Sequence, residues 1–200
     1  EIAQCLVGSE MCIRDRMKDL KEADPRANAN MSYDIRLNKE AETDSYVTYH
    51  CLSYAYLAGA HGSTFERSFN IVKATGKKLS QVVDTARVKD LQPILRKGVL
   101  SYLNQQSGNE SQTANEEKTG NEGQNENEEQ ITDAQLNDYL FIENGIIPLP
   151  SSSPYLAKDG VHFIYQQYEI GPYAMGLVSF TVPLDKIKPY LTAEALKLLK

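Results

Sequence analysis

Apolar and polar positions alternate through much of the first third of the chain. "YDIRL" sets Tyr33, Ile35 and Leu37 against polar neighbours, and "SYVTYHCLSYAYL" from Ser45 puts Tyr46, Thr48, His50, Leu52, Tyr54 and Tyr56 on one face. A period of two is the signature of a strand with one face turned inward. "GAHGS" at 59–63 interrupts the pattern with Gly59 and Gly62, and "TFERSFNIV" resumes it through Phe65, Phe69 and Ile71. "KATGKK" then predicts a tight reversal in which Gly76 supplies a positive φ. At least three successive antiparallel strands follow from this.

From Leu91 the spacing changes. Leu91, Ile94, Leu95, Val99, Tyr102 and Leu103 recur at i, i+3, i+4 and i+7, which predicts a helix over about 91–103 with Pro93 in its first turn. Burying those side chains contributes on the order of 10 kcal/mol gross. Ordering the backbone costs a similar amount at about 1–2 kcal/mol per residue, so the helix needs a sheet to lie on.

Residues 104–130 hold a single Ala as their nearest approach to a hydrophobe and predict a disordered acidic insertion inside one domain spanning 31–200. Loop closure grows only logarithmically with length, so such an insert costs the fold little. "NES" at 109–111 matches an N-glycosylation acceptor.

Beyond it, Thr132 or Asp133 is placed to cap a short helix through Leu136, Tyr139 and Leu140. "YLAKDGVHFIYQQY" predicts a hairpin with Asp159-Gly160 central to a type I′ turn. "GLVSFTVP" is a further strand ended by Pro183, and Thr192 caps a C-terminal helix. Strands, helix and strands without βαβ alternation argue for an α+β fold. Its sheet is largely antiparallel, with the main helix and short C-terminal helices packed on it.

Composition changes this picture in three places. The chain has 200 residues, 41% of them hydrophobic, which is enough for a core. Its net charge of −6 comes from the insertion, where seven acids stand against Lys118 alone, and the remainder is balanced. No Lys/Arg cluster exists to bind phosphates, which argues against nucleic acid, and no apolar run reaches the roughly 18 residues of a membrane span. Residues 1–16, "EIAQCLVGSEMCIRDR", resemble translated sequencing-adapter read-through and are set aside, while 17–30 read as a poorly ordered remnant. With Cys5 and Cys12 excluded, Cys51 is left as a small core residue without a disulfide partner. The true N-terminus is then expected upstream, with any signal sequence and lipid anchor.

Candidate chemistry gathers in "YQQYEIGPYAMG", residues 165–176, where Tyr165, Tyr168 and Tyr173 surround Glu169 beside a Gly171-Pro172 step and a closing Gly176. Tyrosine offers a broad rigid face and a hydroxyl at low entropic cost, which suits recognition. Tyr54, Tyr56 and His61 supply similar groups beside the Gly59–Gly62 turn, and the two stretches are expected to converge. Glu169, between Tyr168 and Ile170, must reach water or find donors, from turn amides or from His61. His50, His61 and His162 lie on separate segments without metal-ligand spacing, and no nucleophile elbow, P-loop or dinucleotide fingerprint occurs. The reading therefore assigns no catalytic residue, metal or cofactor. A small hydrolase using His61 and Glu169 on cell-wall glycan or peptide is the alternative, and its nucleophile is unidentified.

"YAYLAGAHGSTFERSFN" and "GVHFIYQQYEIGPYAMG" together resemble the C-terminal domain family of the lysozyme-binding anti-sigma factor RsiV and the peptidoglycan deacetylase PdaC, found in many secreted or lipid-anchored bacterial proteins of unknown function. The resemblance runs from about Ser45 to Leu199 apart from the insertion, and Ala58 stands where the family often has a second glycine. It implies an extracytoplasmic module, in the periplasm or at the cell surface, that contacts peptidoglycan or a lysozyme-like protein. No deacetylase, sigma-binding or transmembrane segment accompanies it in these residues, so those roles do not carry over.

Overall fold

The structure, a computed structural model, describes residues 18, 22, 31–57, 59–115 and 130–199. The adapter-like residues 1–16 with Cys5 and Cys12, most of 17–30, Ala58 and the acidic stretch 116–129 lie outside the described residues. The chain divides into two compact units between Lys78 and Leu79, and the expected domain 31–200 spans both.

The first unit is an antiparallel sheet of β1 (Ser32–Glu42), β2 (Tyr46–Tyr56), β3 (Ser63–Val72) and β4 (Lys77–Lys78), in that spatial order. Thr43 sets the first turn, its Oγ1 accepting from the amides of Ser45 and Tyr46 at 3.2 Å each. Gly76 takes the predicted positive φ, at 65°. The β1–β2 register slips between Lys39 and Ala41, leaving Glu40 as a bulged residue. Just beyond it, Glu42 accepts from Lys39 at 2.6 Å and Lys73 at 2.8 Å. Those two ammonium groups, Lys39 first, hold its carboxyl down to about 2.

The alternation predicted these strands but not their burial. Leu37 and Phe65 are exposed, whereas Thr48, Ser68 and Asn70 are buried beside Ala41 and Tyr46, with Phe69 buried on the opposite face. Thr48 and Asn70 are direct cross-strand partners, and the hydroxyl donates to Asn70 Oδ1 at 3.1 Å. A polar strip can lie inside a sheet when its groups bond each other.

The second unit opens with a 3₁₀ turn (Thr85–Arg87) capped by Asp84, whose carboxylate accepts from Ala86 N at 3.0 Å. Its main helix, α1 (Gln92–Asn115), carries Pro93 in the first turn and runs past Leu103 into the segment expected to be disordered. A short helix α2 (Leu136–Tyr139) follows, then β5 (Tyr155–Leu156), β6 (Gly160–Tyr165) and β7 (Val178–Pro183), which form an antiparallel sheet in that order. Helices α3 (Leu184–Ile187) and α4 (Ala193–Leu198) close the chain, and Thr192 caps α4 through Ala195 N at 3.2 Å as predicted.

Helix α1 lies on β7. Leu91, Leu95 and Val99 are fully buried with Val82, Leu136, Ile147, Phe163 and Ile187, so the predicted helical face does meet a core. Gly98 permits the approach: a Cβ there would fall 2.3 Å from the Phe180 ring, which stacks on Phe163.

Two side-chain amides on α1 pin the connecting segment by imitating peptide groups. Gln92 donates to Ile147 O and accepts from Ile147 N at 2.9 and 2.8 Å, and Asn104 does the same with Ile131 at 3.1 and 2.8 Å. Thr132 and Gln135 bond reciprocally ahead of α2, Thr132 N to Gln135 Oε1 at 2.9 Å and Gln135 N to Thr132 Oγ1 at 3.4 Å. The predicted cap is therefore a T-x-x-Q box one turn before the helix.

The β5–β6 hairpin is present, but its turn is not type I′. Ala157 N bonds Gly160 O at 2.8 Å, so Lys158 and Asp159 are the central residues, and neither has positive φ. Gly160 instead begins β6, where a Cβ would strike the Val182 carbonyl at 2.1 Å. Close strand approach, not turn geometry, requires glycine there.

Candidate functional site: an aromatic corner and its groove

Strand β6 ends at Tyr165, and the chain then turns sharply before the 3₁₀ helix Tyr173–Met175. Alternation stops at that point, and the three tyrosines part company. Tyr165, expected to face a ligand, is fully buried and donates its hydroxyl to Pro148 O at 2.8 Å. Burial, and then the nearby Glu169 charge, push its phenol far above the ordinary range. It is a core residue that ties β6 to the connector.

Tyr168 goes the other way. It is 57% exposed, and its backbone sits at φ 66°, in the left-handed region. A bulky side chain rarely adopts that conformation, which costs about 1–2 kcal/mol for an L-residue. The Tyr168 ring lies against Tyr173, centroids 5.7 Å apart and tilted by 39°. Such an arrangement is favourable for aromatic pairs.

Glu169 holds this geometry in place. Its Oε2 accepts from Gln166 N at 2.6 Å and its Oε1 from Ser151 N at 2.5 Å. Turn amides are thus the donors, and both carboxylate oxygens serve the backbone of this unit. Charge-assisted bonds of this kind are short and about twice as strong as neutral ones. Behind the corner, Phe141 N donates to Ile170 O at 2.8 Å, and Tyr102 of α1 donates its hydroxyl to Met175 O at 3.0 Å.

The turn residues fit unequally. Gly176 has φ 67° and ends the 3₁₀ helix that Pro172 starts. Gly171 is buried against Met175, whose sulfur would lie 1.9 Å from a Cβ.

Next to the corner, residues 141–149 border an open groove of about 710 Å³. Val88, Phe141, Ile142, Ile146, Pro148 and Leu149 make it apolar, with Thr85, Glu143 and Asn144 as its polar rim. Phe141 is 64% exposed and connects groove to corner through its bond to Ile170. The lip is an Asn-Gly reversal: Asn144 and Gly145 both have positive φ, 53° and 66°, and Ile146 N closes on Glu143 O at 3.1 Å. Arg96 braces it from α1, donating to Asp133, Asn137 and Gly145 O at 2.7–3.2 Å. Asn-Gly is a strong short-range reversal signal, since both residues tolerate positive φ.

The other predicted residues belong to the first unit. Tyr54 and Tyr56 stand at the end of β2, and His61 is exposed in the following turn with Nδ1 3.0 Å from Gly62 O. A Cβ at Gly62 would meet the Tyr54 hydroxyl at 2.3 Å, so the tyrosine tip packs over this glycine, whereas Gly59 has open space around it. The site described here is built from the second unit alone.

A carboxylate with both oxygens on backbone amides is a brace, and among the described residues no group of three His, Cys, Asp or Glu side chains could hold a metal. No described helix is long and apolar enough to cross a membrane. What the corner offers chemically is a fixed, outward aromatic face beside an apolar trough.

Solved structures that resemble this fold include two from the DUF3298 family. One is a DUF3298 family protein of Pseudomonas aeruginosa PAO1, with TM-score 0.55 at 16% identity over 82% of this chain and 64% of that one, so the chain spans about two thirds of its length. The other is a DUF3298 family member of Bacteroides fragilis, with TM-score 0.59 at 19% identity over 98% of this chain and 72% of that one. No curated protein matches. The model of a family described as a protein of unknown function, DUF3298, matches residues 82–185, more than half of the chain and the stretch that contains both corner and groove. The chain belongs to the DUF3298 family.

Proposed function

We propose that this chain is an extracytoplasmic binding module of the bacterial cell envelope, and that it meets peptidoglycan, or a protein that acts on it, through the Tyr168–Tyr173 corner and the adjoining groove. The resemblance to the RsiV and PdaC domains supports the location and the ligand class. The site rests on one observation: a large aromatic side chain is kept exposed on a left-handed backbone by a carboxylate clamp. Strain held at an exposed side chain is a feature of ligand clamps, and a ring fixed in advance loses little entropy on binding. Tyrosine pairs suit the apolar faces of sugar rings while their hydroxyls meet the sugar's own.

The test is co-sedimentation of the chain with purified peptidoglycan, beside capture on immobilised lysozyme. Tyr168→Gly relieves about 1–2 kcal/mol of backbone strain and gives up an aromatic contact of about 0.5–1.5 kcal/mol, so stability stays within about 1 kcal/mol of the parent. Binding should fall at least about tenfold, equivalent to about 1.4 kcal/mol. Tyr173→Ala should weaken the same interaction. Unchanged binding by a folded Tyr168→Gly chain would move the site elsewhere, and a parent that binds neither probe overturns the envelope reading.

A further inference from the structure

Both ring nitrogens of His50, in the middle of the first unit's sheet, face carboxylates. Nε2 lies 3.0 Å from Glu66 Oε2 on β3, and Nδ1 lies 3.7 Å from Glu40 Oε1 at the bulge of β1. The His50 and Glu66 side chains are largely buried, at 13% and 16% exposure, and Glu40 is one-third exposed at 33%. A neutral imidazole has one N–H and one lone pair. In that state one of the two carboxylates must face the lone pair, and only the imidazolium offers a proton to each. The carboxylates address opposite ring nitrogens, so they form a clamp on a protonated ring and cannot share one metal ion with it.

We propose that His50 is a proton-dependent tie: charged, it links the bulged edge strand β1 to β3 across β2, and on losing its proton it loosens the β1 edge. The surrounding groups favour the charged form. On β1 the directly opposed residue is the neutral Asn38, and Arg36 further along is paired with Asp34 at 2.8 Å. On β3 the opposed residue is Ser68, with Glu66 and Asn70 two positions to either side. On β2 itself the same face carries Thr48 and Leu52. The Glu66 carboxylate 3.0 Å away raises the His50 pKa, burial opposes it, and the Glu40 charge adds to the rise.

The sign follows from linkage. A folded pKa above the unfolded value of about 6.5 gives stability that is complete below that value and is lost as pH rises through the folded pKa. The edge is therefore held more tightly in acid than in alkali.

NMR titration of the His50 ring in the whole chain, with amide exchange of residues 36–41 corrected for intrinsic rates, tests this. We expect a His50 pKa above 6.5, lowered more by Glu66→Gln than by Glu40→Gln because the Glu66 contact is shorter. Protection of 36–41 should fall as pH passes that pKa, and His50→Gln should abolish the dependence. Glu40→Gln, at the more exposed carboxylate, gives a readout if the Glu66 variant fails to fold. A parent His50 pKa at or below 6.5, or an exchange profile unchanged in His50→Gln, overturns the proposal.

Discussion

The two units bury different chemistry. In the second, the buried set is aliphatic and aromatic, from Leu79 through Leu91, Leu95 and Val99 to Phe163, Tyr165 and Ala195, with Gln166 as its buried polar residue. In the first, Ala41 and Tyr46 share one face with the buried Thr48, Ser68 and Asn70, the His50–Glu66 pair lies on that same face, and Phe69 is buried on the other. The first unit is specified by cross-strand pairs that must match in register, the second by apolar area removed from water. A polar strip is register-sensitive, because a slip of one residue would carry every bonded group to the other face. An apolar core tolerates change in detail so long as volume is kept. The candidate site sits on the second unit's apolar core, and the Glu169 clamp fixes the strained tyrosine upon it.

Removing core volume from the second unit gives the largest expected effect. Leu95→Ala, at a fully buried position on α1, should cost about 2–5 kcal/mol in chemical denaturation. Glu169→Gln comes next. It exchanges a charged acceptor of two amides for a neutral one and turns a donor toward one of them, at a cost of about 2 kcal/mol, with faster amide exchange at Ser151 and Gln166. Gly98→Ala should also destabilise, by about 1–2 kcal/mol, although alanine is the better helix former by up to about 1 kcal/mol. The added methyl meets the Phe180 ring, and any shift of that ring disturbs its stack on Phe163. A stabilised Gly98→Ala chain would mean that α1 does not press on β7 as described.

These cases also show what was legible in the sequence. The α+β class, the strands of the first unit, the apolar face of α1, Gly76 and the Thr192 cap were readable because each is a local pattern with a local cause. Tyr165 and Tyr168 were not separable, since their fates depend on where β6 ends and where the backbone turns left-handed, and residue type signals neither. Glu169 was expected to take donors from turn amides or from His61, and the amides of Ser151 and Gln166 supply them. Its partner Ser151 was out of reach because an 18-residue separation leaves no pattern in a single sequence. Two further signals stand in the sequence: the glycine inside α1, which marks a close helix approach, and Asn144-Gly145, which shapes the groove. Burial in the first unit misled for a different reason. Alternation says that a strand has two faces and does not say which residues on either are covered: Phe65 lies outward and Asn70 inward, while Phe69, on the Phe65 face, is buried.

The smallest effect cuts to the difference between the units. Thr48→Val keeps the shape of a fully buried side chain and removes the hydroxyl that donates to Asn70 Oδ1. If the first unit behaved as the second does, a valine there would be neutral or stabilising, since an apolar interior gains from one more methyl. If matched polar pairs specify it, Asn70 loses a buried donor and the chain loses about 1 kcal/mol. Combining Thr48→Val with Asn70→Val in a double-mutant cycle separates the pair from the individual side chains. A coupling of about 0.5–1 kcal/mol between them fits the polar strip. Strict additivity would mean that Thr48 and Asn70 are buried side by side without depending on each other, and the contrast between the two units would then be one of composition alone.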